Sequence, residues 1–276
     1  MVLRRALRAC AALAVVGLLA ACGSSGGDNT VVGRAGNGKL TIGVRYDQPG
    51  LGEKRLDGKF VGFDIDVAKY VAKELGVDES GITWKEAQPS AREDLLGTHK
   101  VDFVVASYSI TDKRKEKVAF AGPYFVTGQG LLVRLTDNSI TGPETLNNKR
   151  LCSVSGSTSA QAVRDKYAQG VSLVEYARYS DCVTALLANN VDAVTTDEAI
   201  LAGFAAENPE LLKLVGKPFT QERYGIGVAK DDSGSRDRIN SAIDKMISTG
   251  DWKKSLERNV GPSGYAIPQP PQITEK

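Results

Sequence analysis

Hydrophobic and polar positions along the chain switch between two periods. Over residues 39–45, Leu40, Ile42 and Val44 alternate with Thr41 and Gly43, which predicts a strand. Residues 46–58 contain Pro49, Gly50 and Gly52 and read as a loop. From residue 63 the period lengthens: Phe63, Val67, Tyr70, Val71 and Leu75 share one helical face, and Gly76 supplies the stop. A short strand at 82–84, a short helix at 92–96 and a buried strand at 101–106 continue this first βα run. Residues 117–134 read as extended chain. A second βα run follows, with strands near 151–154, 171–175 and 192–195. Its helices begin at Ser157, Ser180 and Thr196. Residues 221–229 are again extended, two helices cover 234–248 and 250–258, and a Pro-rich tail occupies 263–276.

Two βα runs separated by two extended crossings predict two α/β lobes. The chain crosses out near 125–130 and returns near 222–227, so two segments form the hinge. Residues 39–125 and 226–262 make lobe 1, and 126–225 make lobe 2. The cleft between such lobes is the expected ligand site.

The first 38 residues follow a different pattern. Arg4, Arg5 and Arg8 precede an apolar stretch over 9–21 that is short for a membrane span, the layout of a secretory signal peptide at 1–21. The stretch ends Leu19-Ala20-Ala21-Cys22, which resembles the lipobox of bacterial lipoproteins. The resemblance implies that Cys22 carries lipid and becomes the first mature residue, the alternative being an incidental cysteine after a plain leader. Residues 22–38, rich in Gly, Ser and Asn, read as a flexible tether. The expected location is therefore extracytoplasmic, at the outer face of the cell membrane. With Cys10 removed and Cys22 lipidated, only Cys152 and Cys182 remain, in a compartment where disulfides form. They are expected to be bridged, with two buried thiols as the alternative.

Composition narrows the function classes. Across 276 residues, 35 Lys and Arg meet 33 Asp and Glu, so the chain has no basic footprint for nucleic acid. Losing 1–21 removes three arginines and no acid, leaving 32 against 33 and a formal charge of −1. The single histidine, His99, makes a His-rich metal site or a His-based triad hard to build, so no metal and no cofactor are expected.

Five motifs then occur in order. They are Gly62-Phe63-Asp64-Ile65-Asp66; Ser107-Tyr108-Ser109-Ile110-Thr111-Asp112-Lys113-Arg114 after an apolar run; Phe120-Ala121-Gly122-Pro123-Tyr124; Gly156-Ser157-Thr158-Ser159; and Asp192-Ala193-Val194 with Asp197. Together they resemble the polar amino-acid receptors of bacterial solute-binding protein family 3, and the likeness covers residues 39–258. Within that family the loop Tyr46-Asp47-Gln48-Pro49-Gly50-Leu51-Gly52 looks like that of glutamate-binding lipoproteins from high-GC Gram-positive bacteria. The resemblance implies a type II periplasmic-binding-protein fold, with two Rossmann-like lobes on a two-segment hinge. It also implies a monomer that hands its ligand to the permease and ATPase of an ABC importer.

The site follows from the ligand. A free amino acid presents a carboxylate and an ammonium one carbon apart. By the resemblance Arg114 clamps the α-carboxylate, because a planar guanidinium holds two oxygens at once. Ser109 stands beside it, and Thr158 adds a hydroxyl and an N–H at a helix start. Asp197 accepts the ammonium, with the Ser107 carbonyl. Arg45 and Arg92 face the side-chain end and favour a γ-carboxylate over an amide, giving glutamate first and aspartate second. Tyr46 or Tyr124 replaces the aromatic platform that the family often has where this chain has Gln88-Pro89. Asp64 and Asp66 read as helix N-terminal acids that favour the dipole. Glutamine, or polar amino acids broadly, is the alternative ligand, and a sensor feeding a membrane signalling protein is the alternative role. An enzyme on the same fold is the weaker reading, since the chain has no zinc-protease helix or P-loop.

Overall fold

The computed structural model of the chain describes residues 29–166 and 170–276. The expected leader at 1–21, Cys22 and residues up to 28 lie outside the described residues.

The first described element corrects an expectation. Residues 22–38 were expected to be tether, yet α1 (Val31–Gly36) is a capped helix that packs on the domain. The Thr30 hydroxyl accepts from Gly33 N–H, and Val31 N–H donates to Asp232 at 2.8 Å. Val31 and Ala35 are buried, which a free tether would not offer.

The chain continues through β1 (Leu40–Val44), β2 (Asp47–Gln48), β3 (Gly52–Lys54), β4 (Phe60–Val61) and α2 (Phe63–Glu74). It then forms β5 (Ile82–Glu86), α3 (Arg92–Gly97), β6 (Phe103–Val104), α4 (Asp112–Lys115) and β7 (Val118–Thr127). The expected loop at 46–58 thus holds two strands of a small antiparallel sheet, β2-β3-β4. The expected strand at 101–106 is shorter, because only Phe103 and Val104 pair with neighbours.

The second half comprises β8 (Gln129–Arg134), β9 (Arg150–Val154), α5 (Thr158–Lys166), β10 (Ser172–Tyr176) and α6 (Tyr179–Leu187). Next come β11 (Ala193–Asp197), α7 (Glu198–Glu207), β12 (Leu212–Val215) and β13 (Glu222–Ala229). The helices α8 (Ser233–Ser248) and α9 (Asp251–Asn259) follow. The helix expected from Thr196 starts at Glu198, because β11 keeps its antiparallel register with β8 as far as Asp197 opposite Gln129.

Two five-stranded sheets result, ordered β5-β1-β6-β13-β7 and β10-β9-β11-β8-β12. Each begins with three parallel strands joined through helices, the arrangement that βα repetition demands. The long pair β7 and β13 runs to the junction, where the chain leaves for β8 and returns from β12. Lobe 1 closes around Phe63, whose ring meets Phe125 at 5.6 Å and Trp252 at 5.9 Å. Burying such a side chain contributes about 2–3 kcal/mol. The Trp252 indole N–H donates to the Tyr124 carbonyl at 2.7 Å, so α9 returns to lobe 1 as its pattern predicts. In lobe 2, Cys152 on β9 is bonded to Cys182 on α6. The tail lies along β7: the Tyr265 hydroxyl meets Thr127 at 2.9 Å, and Thr274 N–H donates to the Gly122 carbonyl. No helix among the described residues is long and apolar enough to cross a membrane.

Candidate functional site

A small polar cavity of about 20 Å³ lies between the lobes. Lobe 1 contributes Gln48, Arg92, Ser107, Ser109 and Arg114. Lobe 2 contributes Ser157, Thr158, Ser159, Tyr179, Thr196 and Asp197.

The lobe 1 wall is built where the chain leaves β6. Ser107 has φ +48°, a left-handed conformation that costs a non-glycine residue about 1 kcal/mol. Asp64 offsets that cost: its Oδ2 accepts the Ser107 N–H at 2.7 Å, and Tyr124 donates to its Oδ1 at 2.7 Å. The Ser107 hydroxyl lies 2.9 Å from Gln48 Oε1 and 3.1 Å from Asp64 Oδ2, within reach of either acceptor. Asp64 is therefore more than a helix-dipole acid: it sits fully buried beneath the cavity wall and holds that wall's backbone. Burial raises its pKa, against the lowering effect of the hydrogen bonds it accepts from Tyr124 and Ser107.

Thr111 caps α4 by accepting the Arg114 N–H, and this short helix brings Arg114 to the cleft. The guanidinium spans the lobes, with Nη1 donating to the Ser109 carbonyl at 2.7 Å and Nη2 to the Gly156 carbonyl at 3.1 Å. Gly156 has φ +79°, and a Cβ there would meet the Ser90 backbone at 2.8 Å, so only glycine lets this lobe 2 loop approach lobe 1. Glu93 lies 3.6 Å from Arg114 Nε. The guanidiniums of Arg92 and Arg114 each lie 4.9 Å from the Tyr108 ring centre. Arg92 donates Nε to the Ala87 carbonyl. Burial, then the positive charges of Arg114 and Arg45, push the Arg92 pKa down to about 10.

The lobe 2 wall uses strand ends and a helix start. Ser157 accepts from Ala160 N–H and caps α5, and Thr158 Oγ1 lies 3.5 Å from Ser109 Oγ across the cleft. Asp197, at the end of β11, accepts from the Tyr224 hydroxyl at 2.5 Å through Oδ2, while its buried Oδ1 has no partner. Burial first, and nearby Glu222 second, raise the Asp197 pKa to about 8. An unpartnered buried acceptor is costly and is suited to a cationic donor.

Of the residues expected from sequence, Arg92, Ser107, Ser109, Arg114, Thr158 and Asp197 meet in this cavity. Three do not line it. Arg45 is fully buried and donates Nη2 to Asp47 at 2.6 Å. The Tyr46 ring packs against Phe60 at 5.1 Å and its hydroxyl donates to the Trp84 carbonyl. Tyr124 is fully buried on Asp64, because β7 faces the lobe 1 core at that position. Sequence reading missed Gln48, Ser157, Ser159, Tyr179 and Thr196. Four of these lie in or beside quoted motifs, whereas nothing local marks Tyr179. Among the described residues no group of three or more His, Cys, Asp and Glu could hold a metal.

Two α/β lobes, a double crossing and a polar cavity between them define a type II periplasmic-binding-protein fold, the architecture of a solute receptor. The comparisons name the family: residues 40–262 match Bacterial extracellular solute-binding proteins, family 3, and the chain belongs to it. The glutamate-binding protein GluB of Corynebacterium efficiens is 43% identical over 259 residues, covering 90% of this chain and 88% of that protein. The ABC transporter glutamine-binding protein GlnH of Bacillus subtilis is 40% identical over 87% of this chain and 91% of its own. An ancestral arginine-binding protein bound to glutamine superposes with a TM-score of 0.76 at 37% identity, covering 81% of this chain and 98% of its own. The protein is a receptor and not an enzyme, as its relatives are.

Proposed function

We propose that the protein binds an acidic amino acid, glutamate before aspartate, in the interlobe cavity. The observation that carries this reading is the charge set. Two buried guanidiniums, Arg92 and Arg114, and one buried acid, Asp197, line the cavity. A dicarboxylic amino acid presents two carboxylates and one ammonium, the complementary set. Arg114 and the α5 start take the α-carboxylate, Arg92 takes the side-chain carboxylate, and the unpartnered Asp197 Oδ1 takes the ammonium. Contacts come from both lobes, so ligand charge favours closure. Arg45 contributes from behind, as a buried cation near Arg92. Likeness to the Corynebacterium glutamate-binding protein supports the same choice.

Lipidation of Cys22 would hold the receptor, as a monomer, at the outer face of the membrane beside the permease and ATPase of an ABC importer. The Leu19-Ala20-Ala21-Cys22 sequence supports the anchor, and the Bacillus subtilis relative's name supports the importer. The same relative favours glutamine as a second reading. Calorimetric titration with L-glutamate and L-glutamine decides between them. Glutamate is expected to bind at least tenfold more tightly, and Arg92→Gln is expected to erase most of that margin. A wild-type preference for glutamine would overturn the acidic reading.

A further inference from the structure

Lobe 1 and lobe 2 also meet through contacts that involve no cavity wall on the lobe 1 side. Asp47, on β2, accepts at Oδ2 from the N–H of Tyr179 at 3.0 Å and of Ser180 at 3.3 Å, the first two residues of α6. Its Oδ1 accepts from the fully buried Arg45 at 2.6 Å. Arg178, immediately before α6, grips Glu86 at the end of β5 with two parallel bonds, at 2.9 and 2.6 Å. Beside them the Pro49 carbonyl sits so close to α7 that a Cβ on Gly203 would lie 2.3 Å from it. Three neighbouring points of lobe 1 thus dock on the starts of α6 and the middle of α7.

We propose that Asp47, with the Glu86–Arg178 pair, is a latch that sets the population of the closed receptor independently of ligand. Asp47 and Arg178 are positioning residues: neither lines the cavity, and both act on α6, which carries Tyr179 into it. The buried Arg45 fixes the Asp47 carboxylate, and the exposed helix N–H groups of α6 find their acceptor only when the lobes are together. A receptor whose competent state is partly populated binds more weakly in proportion to that fraction. The latch therefore multiplies affinity for any ligand and leaves the choice among ligands unchanged. The proposal rests on the cavity binding an amino acid but not on which one.

The test uses Asp47→Asn and Arg178→Ala in the purified protein. Interlobe distance is read by spin labels at Thr83→Cys and Ser172→Cys, which replace exposed residues on the two lobes. In the absence of ligand, both variants are expected to shift the distance distribution toward the open form. Calorimetry is expected to give a Kd for L-glutamate raised about tenfold by Asp47→Asn and about threefold by Arg178→Ala. In Arg178→Ala, which leaves the Arg45–Asp47 pair intact, the ratio of glutamate to glutamine affinity should stay within twofold of wild type. Unchanged distances, or Kd values within twofold of wild type in both variants, would overturn the latch. A shifted ligand ratio in Arg178→Ala would overturn it too, by making the interlobe pair a specificity device. If Asp47→Asn does not fold, Arg178→Ala, at a half-exposed position, carries the test alone. If wild type binds none of the twenty amino acids, the binding proposal fails, and the ligand-free distances still judge the latch.

Discussion

Binding of an amino acid at Asp197 should expel a proton. In the empty receptor burial and Glu222 hold the Asp197 pKa at about 8. At pH 7 the carboxyl is then protonated in about nine molecules of ten. An ammonium placed on the unpartnered Oδ1 favours the ionised form and returns the pKa toward the ordinary carboxylate value near 4. Each binding event at pH 7 therefore releases about 0.9 proton, falling to about 0.1 at pH 9. Affinity should rise with pH at nearly tenfold per unit up to pH 7. It should flatten above pH 8, until the ligand's own ammonium begins to deprotonate. The empty fold has the opposite dependence. A folded pKa raised above the unfolded value near 4 contributes stability fully present below pH 4, and that stability is lost as pH rises through 8. Titrating L-glutamate calorimetrically at pH 7 in phosphate and in Tris measures the proton directly, since the two buffers differ in ionisation enthalpy. Identical apparent enthalpies, or proton uptake, would refute Asp197 as the neutral acid that receives the ammonium. Asp197→Asn should abolish the buffer dependence and weaken binding roughly 10²–10³-fold, the cost of breaking a buried charge pair.

Two further outcomes follow from the geometry. Arg114→Ala leaves the α-carboxylate without its guanidinium and removes the bond to Gly156, so Kd should rise at least 100-fold by calorimetry, and a rise under tenfold would contradict the clamp. Replacing Cys152 and Cys182 by serine opens a link between residues 30 apart; the chain-entropy relation gives a loss of about 3–4 kcal/mol, or about 6–16 °C in Tm by calorimetric scan.

The architecture was legible because its signals are local. Periods of two and of three to four residues mark β1, α2, β9 and α8 without reference to any neighbour. Strand ends and helix starts are also where a βα fold places its site, so Arg114, Thr158 and Asp197 were locatable from motifs at those junctions. The tether was misread for the converse reason. Two small apolar residues, Val31 and Ala35, make too weak a pattern to reveal α1, whose docking depends on Asp232, 201 residues away.

The sequence by itself determined the two βα runs, the double crossing, the family and the residues that carry charge to the cleft. Tertiary structure decided what each charge does there. Arg45 and Tyr46 stand at the end of β1 with the same local credentials as a cavity residue, and packing turned both away, one onto Asp47 and the other onto Phe60. Asp47, on the two-residue strand β2 within the quoted 46–52 segment, meets α6 across 132 residues of sequence. Asp197 becomes a neutral acid only because burial removes the water that would stabilise its charge and Glu222 repels it. Periodicity is a property of neighbours in sequence. Burial and charge coupling depend on which distant segments share a space, and the chain settles that only when its lobes meet.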